Sequence, residues 1–185
     1  MLYYAYNKKV RVKKMINQNS TKEEVMEAVK HDGHALHYAS EALREDRDVV
    51  MEAVRNIASA LMEASEALRE DRDFMIKVVR HNGYALLYAS EEFRGDREVV
   101  MEAVRNRVSA LMDASEALRE DRDFMIEVVR QNGHALHYAS EAFCGDRDVV
   151  MEAVKQNGSA LEYASEELKL EMAKCWVKCM NCKGK

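Results

Sequence analysis

Four sets of side chains in this chain have types and spacings that could do chemistry. Cys175, Cys179 and Cys182 near the carboxyl end contain one CxxC knuckle plus a third thiol, half of a four-ligand zinc site. A fourth ligand could come from Cys144, a histidine or another chain. The same thiols could instead be oxidised to link subunits, be acylated, or stay free. The pairs His34/His37 and His134/His137 stand at i, i+3, so two imidazoles share one helix face and could hold a metal or report pH. Tyr38, Tyr88, Tyr138 and Tyr163 recur at one register, where aromatics can line a binding groove or cap an apolar layer. Glu41, Glu66, Glu91, Glu116, Glu141 and Glu166 form a ladder of carboxylates.

Each set has to be weighed against the lattice that carries it. The triplet Ala-Ser-Glu begins at Ala39, Ala64, Ala89, Ala114, Ala139 and Ala164, always 25 residues apart, and six such units fill 21–170. Asp-Arg opens five units, from Asp46 to Asp146, and Thr21-Lys22 opens the first. A second period of 50 lies on top: Asp-Arg-Asp-Phe-Met-Ile occurs at both Asp71 and Asp121. Glutamates that are identical copies on a lattice, five of them followed three residues on by Arg or Lys, read as surface ion pairs rather than as a general acid and base in unequal environments. The histidine positions hold Tyr84 and Leu87 in the third unit, and Met62 and Met112 take the second of them in units two and four, which reads as packing.

Within a unit, Val49, Val50, Ala53 and Val54 fall on one face of a first helix, with Asp46 or Asp48 at its amino end. Ala60, Leu61, Ala64 and Leu68 define a second helix by the same spacing, with the Ala-Ser pair as a place of close helix approach. Between them Asp32-Gly33, Asn82-Gly83, Asn132-Gly133 and Asn157-Gly158 predict a left-handed glycine that ends the first helix. Ile57-Ala58 and Arg107-Val108 break that pattern. There Asn56 and Asn106 are expected to take the left-handed position with Ser59 and Ser109 capping the next helix; fusion of the two helices is the other possibility. A ten-residue helix is too short to stand alone in water. The chain is therefore read as all-α, an α-solenoid of six 25-residue helix-turn-helix repeats over 21–170, its superhelical hand open. A basic, aromatic leader over 1–20 and a Cys/Lys tail over 171–185 complete it.

The string from Asp121 through Leu168, with Asn-Gly-x-Ala-Leu-x-Tyr-Ala-Ser-Glu after the first helix, resembles the tandem helical repeat family known as domain of unknown function 4116. That resemblance implies architecture, short helical repeats, and brings no catalytic residue with it.

Composition bounds the function. The chain has 185 residues, no Pro and only 7 Gly, 33% charged side chains and a net charge of -5. Residues 1–14 carry +5 and 169–185 carry +4, so the body between is strongly acidic and unsuited to gripping a phosphate backbone. No apolar window reaches the length of a membrane span, no secretory signal is recognisable at the amino end, and three clustered cysteines suit a reducing compartment better than a secreted disulfide framework. No phosphate loop, zinc-protease motif or nucleophile elbow is present. The expectation is a non-catalytic protein-protein interaction scaffold that binds a partner or its own copy. Tyr38, Tyr88, Tyr138, Tyr163, His34 and His134 are its candidate groove residues, with no cofactor required. A metal-binding or redox-responsive module on Cys175, Cys179 and Cys182, with zinc as the possible ion, is the alternative.

Overall fold

A computed structural model describes residues 16–182, and the side chains of 16–174. Every described regular element is helical, and each 25-residue repeat uses the same three pieces in order. The first is a ten-residue α-helix: α1 (Lys22–His31), α3 (Arg47–Asn56), α5 (Arg72–His81), α7 (Arg97–Asn106), α9 (Arg122–Gln131) and α11 (Arg147–Gln156). A six-residue 3-10 helix follows: η1 (Gly33–Tyr38), η2 (Ala58–Glu63), η3 (Gly83–Tyr88), η4 (Val108–Asp113), η5 (Gly133–Tyr138) and η6 (Gly158–Tyr163). The third is a short α-helix: α2 (Glu41–Arg44), α4 (Glu66–Arg69), α6 (Glu91–Gly95), α8 (Glu116–Arg119) and α10 (Glu141–Cys144), with the longer α12 (Glu166–Cys182) closing the chain.

The long helices start where the sequence says they should. Asp46 accepts the amide hydrogens of Asp48 and Val49 at 3.0 and 3.2 Å, and Asp71 and Asp121 accept those of Phe74 and Phe124 at 2.8 Å. Thr21 opens α1 with a reciprocal capping box to Glu24. Each such cap is worth about 1 kcal/mol.

Two expectations fail at the turn. No described residue, glycine included, has a positive φ. The helix instead ends on an extended residue (Asp32, Ile57, Asn82, Arg107, Asn132 or Asn157, with φ of -153 at Asp32 and -144 at Asn82), and where this residue is Asp or Asn its side chain caps the 3-10 helix. Asn56 and Asn106 remain the last residues of α3 and α7, and Ile57 caps η2 without a side-chain bond. The two helices do not fuse.

The predicted second helix is also two elements. Ala64 (φ -65, ψ 155) is extended, so the Ala-Ser pair is the break itself and not an approach point inside one helix. Ser65, Ser90, Ser115 and Ser165 then accept the amide hydrogens of Leu68, Phe93, Leu118 and Leu168 at 3.3–3.4 Å, restarting the chain as an α-helix.

The chain forms two compact units, one through Asp113 and the other from Ala114. Within each unit successive repeats lie side by side in an α-solenoid-like file. In the first, α1 packs on α3 and α5 on α7, more extensively than α3 on α5, and the 3-10 helices η1 to η4 contact one another in series. In the second, α9 packs on α11 and η5 on η6. Val25, Val29, Val49, Val50, Leu36, Leu61, Leu86 and Phe74 are 0–1% exposed, and the core combines the packing of each long helix on its own 3-10 helix with its packing on the neighbouring repeat.

Glycine marks the closest of those contacts. A β-carbon on Gly33 would lie 2.5 Å from the Ala53 carbonyl oxygen, and one on Gly83 would lie 2.8 Å from that of Ala103; Gly133 faces Ala153 in the same way. Gly33, Gly83 and Gly133 belong to repeats one, three and five, each pressed against the long helix of its successor. Ala58 and Val108 open the 3-10 helices of repeats two and four and carry side chains. In the first unit, tight spacing within the pairs of repeats one and two and of three and four thus alternates with a looser step between two and three.

Candidate functional site

The 3-10 helix places the candidate histidines and tyrosines, while the glutamate ladder opens the α-helices that follow. With about three residues per turn, its second and fifth positions eclipse one another. The third and fourth positions face inward: Ala35, Leu36, Ala60, Leu61, Ala85, Leu86, Ala110 and Leu111 are all 0% exposed. The second and fifth therefore form an outward edge. His34 and His37 do share that edge, and both are exposed.

The reading of this edge as a packing position is overturned. Met62 and Met112 are 61% exposed, Leu87 is 52% and Tyr84 is 58%. Since η1 to η4 stack in series, the first unit carries a row of outward residues, His37, Met62, Leu87 and Met112, one per repeat. Their apolarity at a solvent position was visible in the repeat alignment, but a register that accepts His, Met and Leu reads as packing from residue type alone.

Beside the row lies an open cavity of about 320 Å³, lined by Asn56, Ile57, Ala58, Ser59, Asn82, Tyr84, Leu87 and Tyr88. Arg107 stands over the Tyr84 ring, 3.7 Å from its centre, and is held by the Ser109 hydroxyl at 2.8 Å and by the Asp113 carboxylate. Where repeat four departs from Asn-Gly, its turn residue thus supplies a guanidinium that stacks on a tyrosine of repeat three.

The predicted groove residues are half-buried or exposed, and they do not gather in one place. Tyr88 joins the cavity just described. Tyr38 meets the edge of His37, whose Nδ1 lies 2.8 Å from Glu63 of the next repeat. In the second unit Tyr138 borders a polar recess of about 150 Å³ with Glu116, Arg119, Glu120, Ala139 and Ser140. Tyr163 contacts both His134 and His137, at 6.1 and 4.8 Å between ring centres. Cys175, Cys179 and Cys182 lie on the backbone of α12, and their side chains fall outside the described residues. Among the described residues no group of three or more His, Cys, Asp or Glu side chains is placed to hold a metal. Cys144 is half-buried, and burial raises its thiol pKa.

The long-helix ends carry a second regular feature. Arg72 binds Asp96 at 2.7 Å and Glu98 at 2.8 Å, Arg122 binds Asp146 and Asp148 in the same way, and Lys22 reaches Asp46 and Asp48. Arg72 holds the Asp96 carboxyl below its ordinary range, and Arg122 does so for Asp146. Glu102, the one buried charged residue among those described, is lowered chiefly by its hydrogen bond from Arg80. Of the glutamate ladder, Glu91 pairs with Arg94 and Glu166 with Lys169. All are arginine-carboxylate or lysine-carboxylate contacts, at the surface except for Glu102.

A family model described as Domain of unknown function (DUF4116) matches residues 21–69, 71–119 and 121–169. The chain belongs to this family. Each match spans two 25-residue repeats, so the DUF4116 module coincides with the tightly packed pair that its internal glycine marks. No curated protein and no solved structure matches the chain. Among the described residues no helix is long and apolar enough to cross a membrane.

Proposed function

We propose that this DUF4116 chain is a non-catalytic scaffold whose first unit binds a partner protein along the outward edge of η1 to η4. The observation that carries the reading is the exposure of Met62, Leu87 and Met112, each more than half open to solvent at one repeat position, with Tyr84 beside them. Apolar side chains scattered singly need no explanation, but a periodic row of them on a shared edge is the pattern of an interaction surface. The row suits an apolar segment laid across the repeats. The acidic body between the basic ends favours a partner with basic residues flanking that segment. A reducing intracellular compartment fits the clustered cysteines.

Replacing Met62, Leu87 and Met112 together by Glu tests the proposal. All three are solvent-facing, so the variant should fold with an unchanged circular dichroism spectrum. Partner capture from native extract, followed by crosslinking, should recover a protein with the parent chain and lose it with the variant. Equal recovery by both chains would sink the proposal, as would crosslinks that map away from this edge.

A further inference from the structure

The three Asn-Gly bonds share a sequence motif and very different surroundings. At such a bond the backbone nitrogen of Gly can attack the Asn side-chain carbonyl. The backbone of the asparagine does not separate them: Asn82, Asn132 and Asn157 have φ of -144, -148 and -147 and ψ of 95, 105 and 111. Each also caps its 3-10 helix through Oδ1, to Tyr84, His134 and Ser159 respectively.

The glycine side separates them. The Gly83 amide donates to Asn106 Oδ1 at 2.8 Å, and the Gly133 amide donates to Gln156 Oε1 at 2.7 Å. Both glycines are buried against the next long helix, where no atom can be added without a clash. Gly158 is exposed, nothing stands within 4 Å of where its β-carbon would be, and its amide has no acceptor among the described residues. The leaving groups differ as well. Asn82 Nδ2 is tied to the Val54 carbonyl at 2.9 Å, whereas Asn157 Nδ2 lies 2.9 Å from His134 Nε2 on the surface.

We propose that Asn157-Gly158 is a site of spontaneous covalent modification, converting to aspartate and isoaspartate in the folded protein while Asn82-Gly83 and Asn132-Gly133 are protected by contacts between repeats. The Gly158 nitrogen gives its proton to solvent base and bonds to Asn157 Cγ. The Cγ–Nδ2 bond breaks, and the departing nitrogen takes a proton from water and leaves as ammonia. Water then opens the cyclic imide at either carbonyl, giving aspartate or isoaspartate without any change of oxidation state. One neutral amide becomes a carboxylate beside His134 and Tyr163. The inference stands independently of the partner-binding reading.

The test is incubation of the full chain in mildly alkaline buffer, with peptide mapping and isoaspartate detection over time. Asn157 should convert faster than Asn82 and Asn132 by at least about 2- to 10-fold, the factor for breaking one protecting hydrogen bond before attack. In denaturant the three sites should convert at comparable rates. Asn106→Ala, which frees the Gly83 amide, should raise conversion at Asn82, and Asn157→Gln should remove most of the isoaspartate signal. Equal rates at the three sites in the folded chain would overturn the proposal, as would conversion led by Asn82 or Asn132. So would a folded Asn157 that stays intact while the denatured chain converts.

Discussion

Replacing Gly83 by Ala probes the packing that defines the repeat pair. Its backbone does not require glycine, since φ is not positive, so any cost comes from the added atom. That atom would sit 2.8 Å from the Ala103 carbonyl oxygen and 3.1 Å from both Arg107 Cβ and Asn106 Oδ1. Two of the three are backbone or β-carbon, which cannot swing aside, so the helices must separate. Overpacking of this kind costs about 1–3 kcal/mol, against a gain of about 0.4–1 kcal/mol from a less flexible unfolded chain. The net expectation is a loss centred on about 1.3 kcal/mol, with limits of about 0 and 2.6 kcal/mol. Gly158→Ala meets nothing within 4 Å, so only the gain of about 0.4–1 kcal/mol should remain. Urea denaturation followed by circular dichroism should give midpoints shifted in opposite directions. Equal shifts, or a stabilising Gly83→Ala, would refute the argument that close approach selects glycine here.

The amide clamps give a second prediction. Asn56 Oδ1 accepts the Gly33 amide at 3.0 Å and its Nδ2 donates to the Lys30 carbonyl at 2.8 Å, so Asn56→Ala should cost about 1–3 kcal/mol in the same assay by stranding a buried amide. Asn56→Gln should recover part of that loss, because Gln156 makes the equivalent pair of bonds to Gly133 and Gln131. Asp96 and Asp146 hold their protons less tightly folded than unfolded. Their stabilising effect is therefore complete above the ordinary aspartate range, near about pH 4, and disappears as pH falls through the lower folded values. Arg72→Gln with Arg122→Gln should flatten that acid limb in pH-dependent melting. Single replacements of Met62 or Met112 by Ala should stay within about 0.5 kcal/mol of the parent.

What could be read in advance followed from residues with one physical role. Asp46 and Asp71 cap helices wherever a helix starts, and Val49, Val50, Ala53 and Val54 can face only inward, so repeat boundaries and the first helix were legible. Ala64-Ser65 was not, because both residues are compatible with a helix interior, and only the serine's capping of Leu68 in three dimensions shows that the helix stops there. Gly33 was identified as necessary for the wrong reason. A glycine tolerates both positive φ and close approach, and sequence offers no means of choosing between them when the neighbouring carbonyl belongs to another repeat. The exposed Met62 and Leu87 were hidden because a register shared by His, Met and Leu reads as packing, and residue type alone does not show which side of the element meets solvent. The tyrosines were legible as a register and not as a place, since each takes its surroundings from a different neighbour.

The alternation of bare and substituted positions at the start of the 3-10 helices of repeats one to five also constrains how such arrays can change length. Gly33, Gly83 and Gly133 each expect the helix of an even-numbered successor, whose Asn56, Asn106 or Gln156 answers the glycine amide. Excising or inserting one 25-residue element would bring together two members of the same parity, so that either a methyl group meets a carbonyl or a clamp has nothing to grip. Steps of 50 residues keep the order intact, and growth by doublets is then enforced by sterics rather than inherited as an accident of copying.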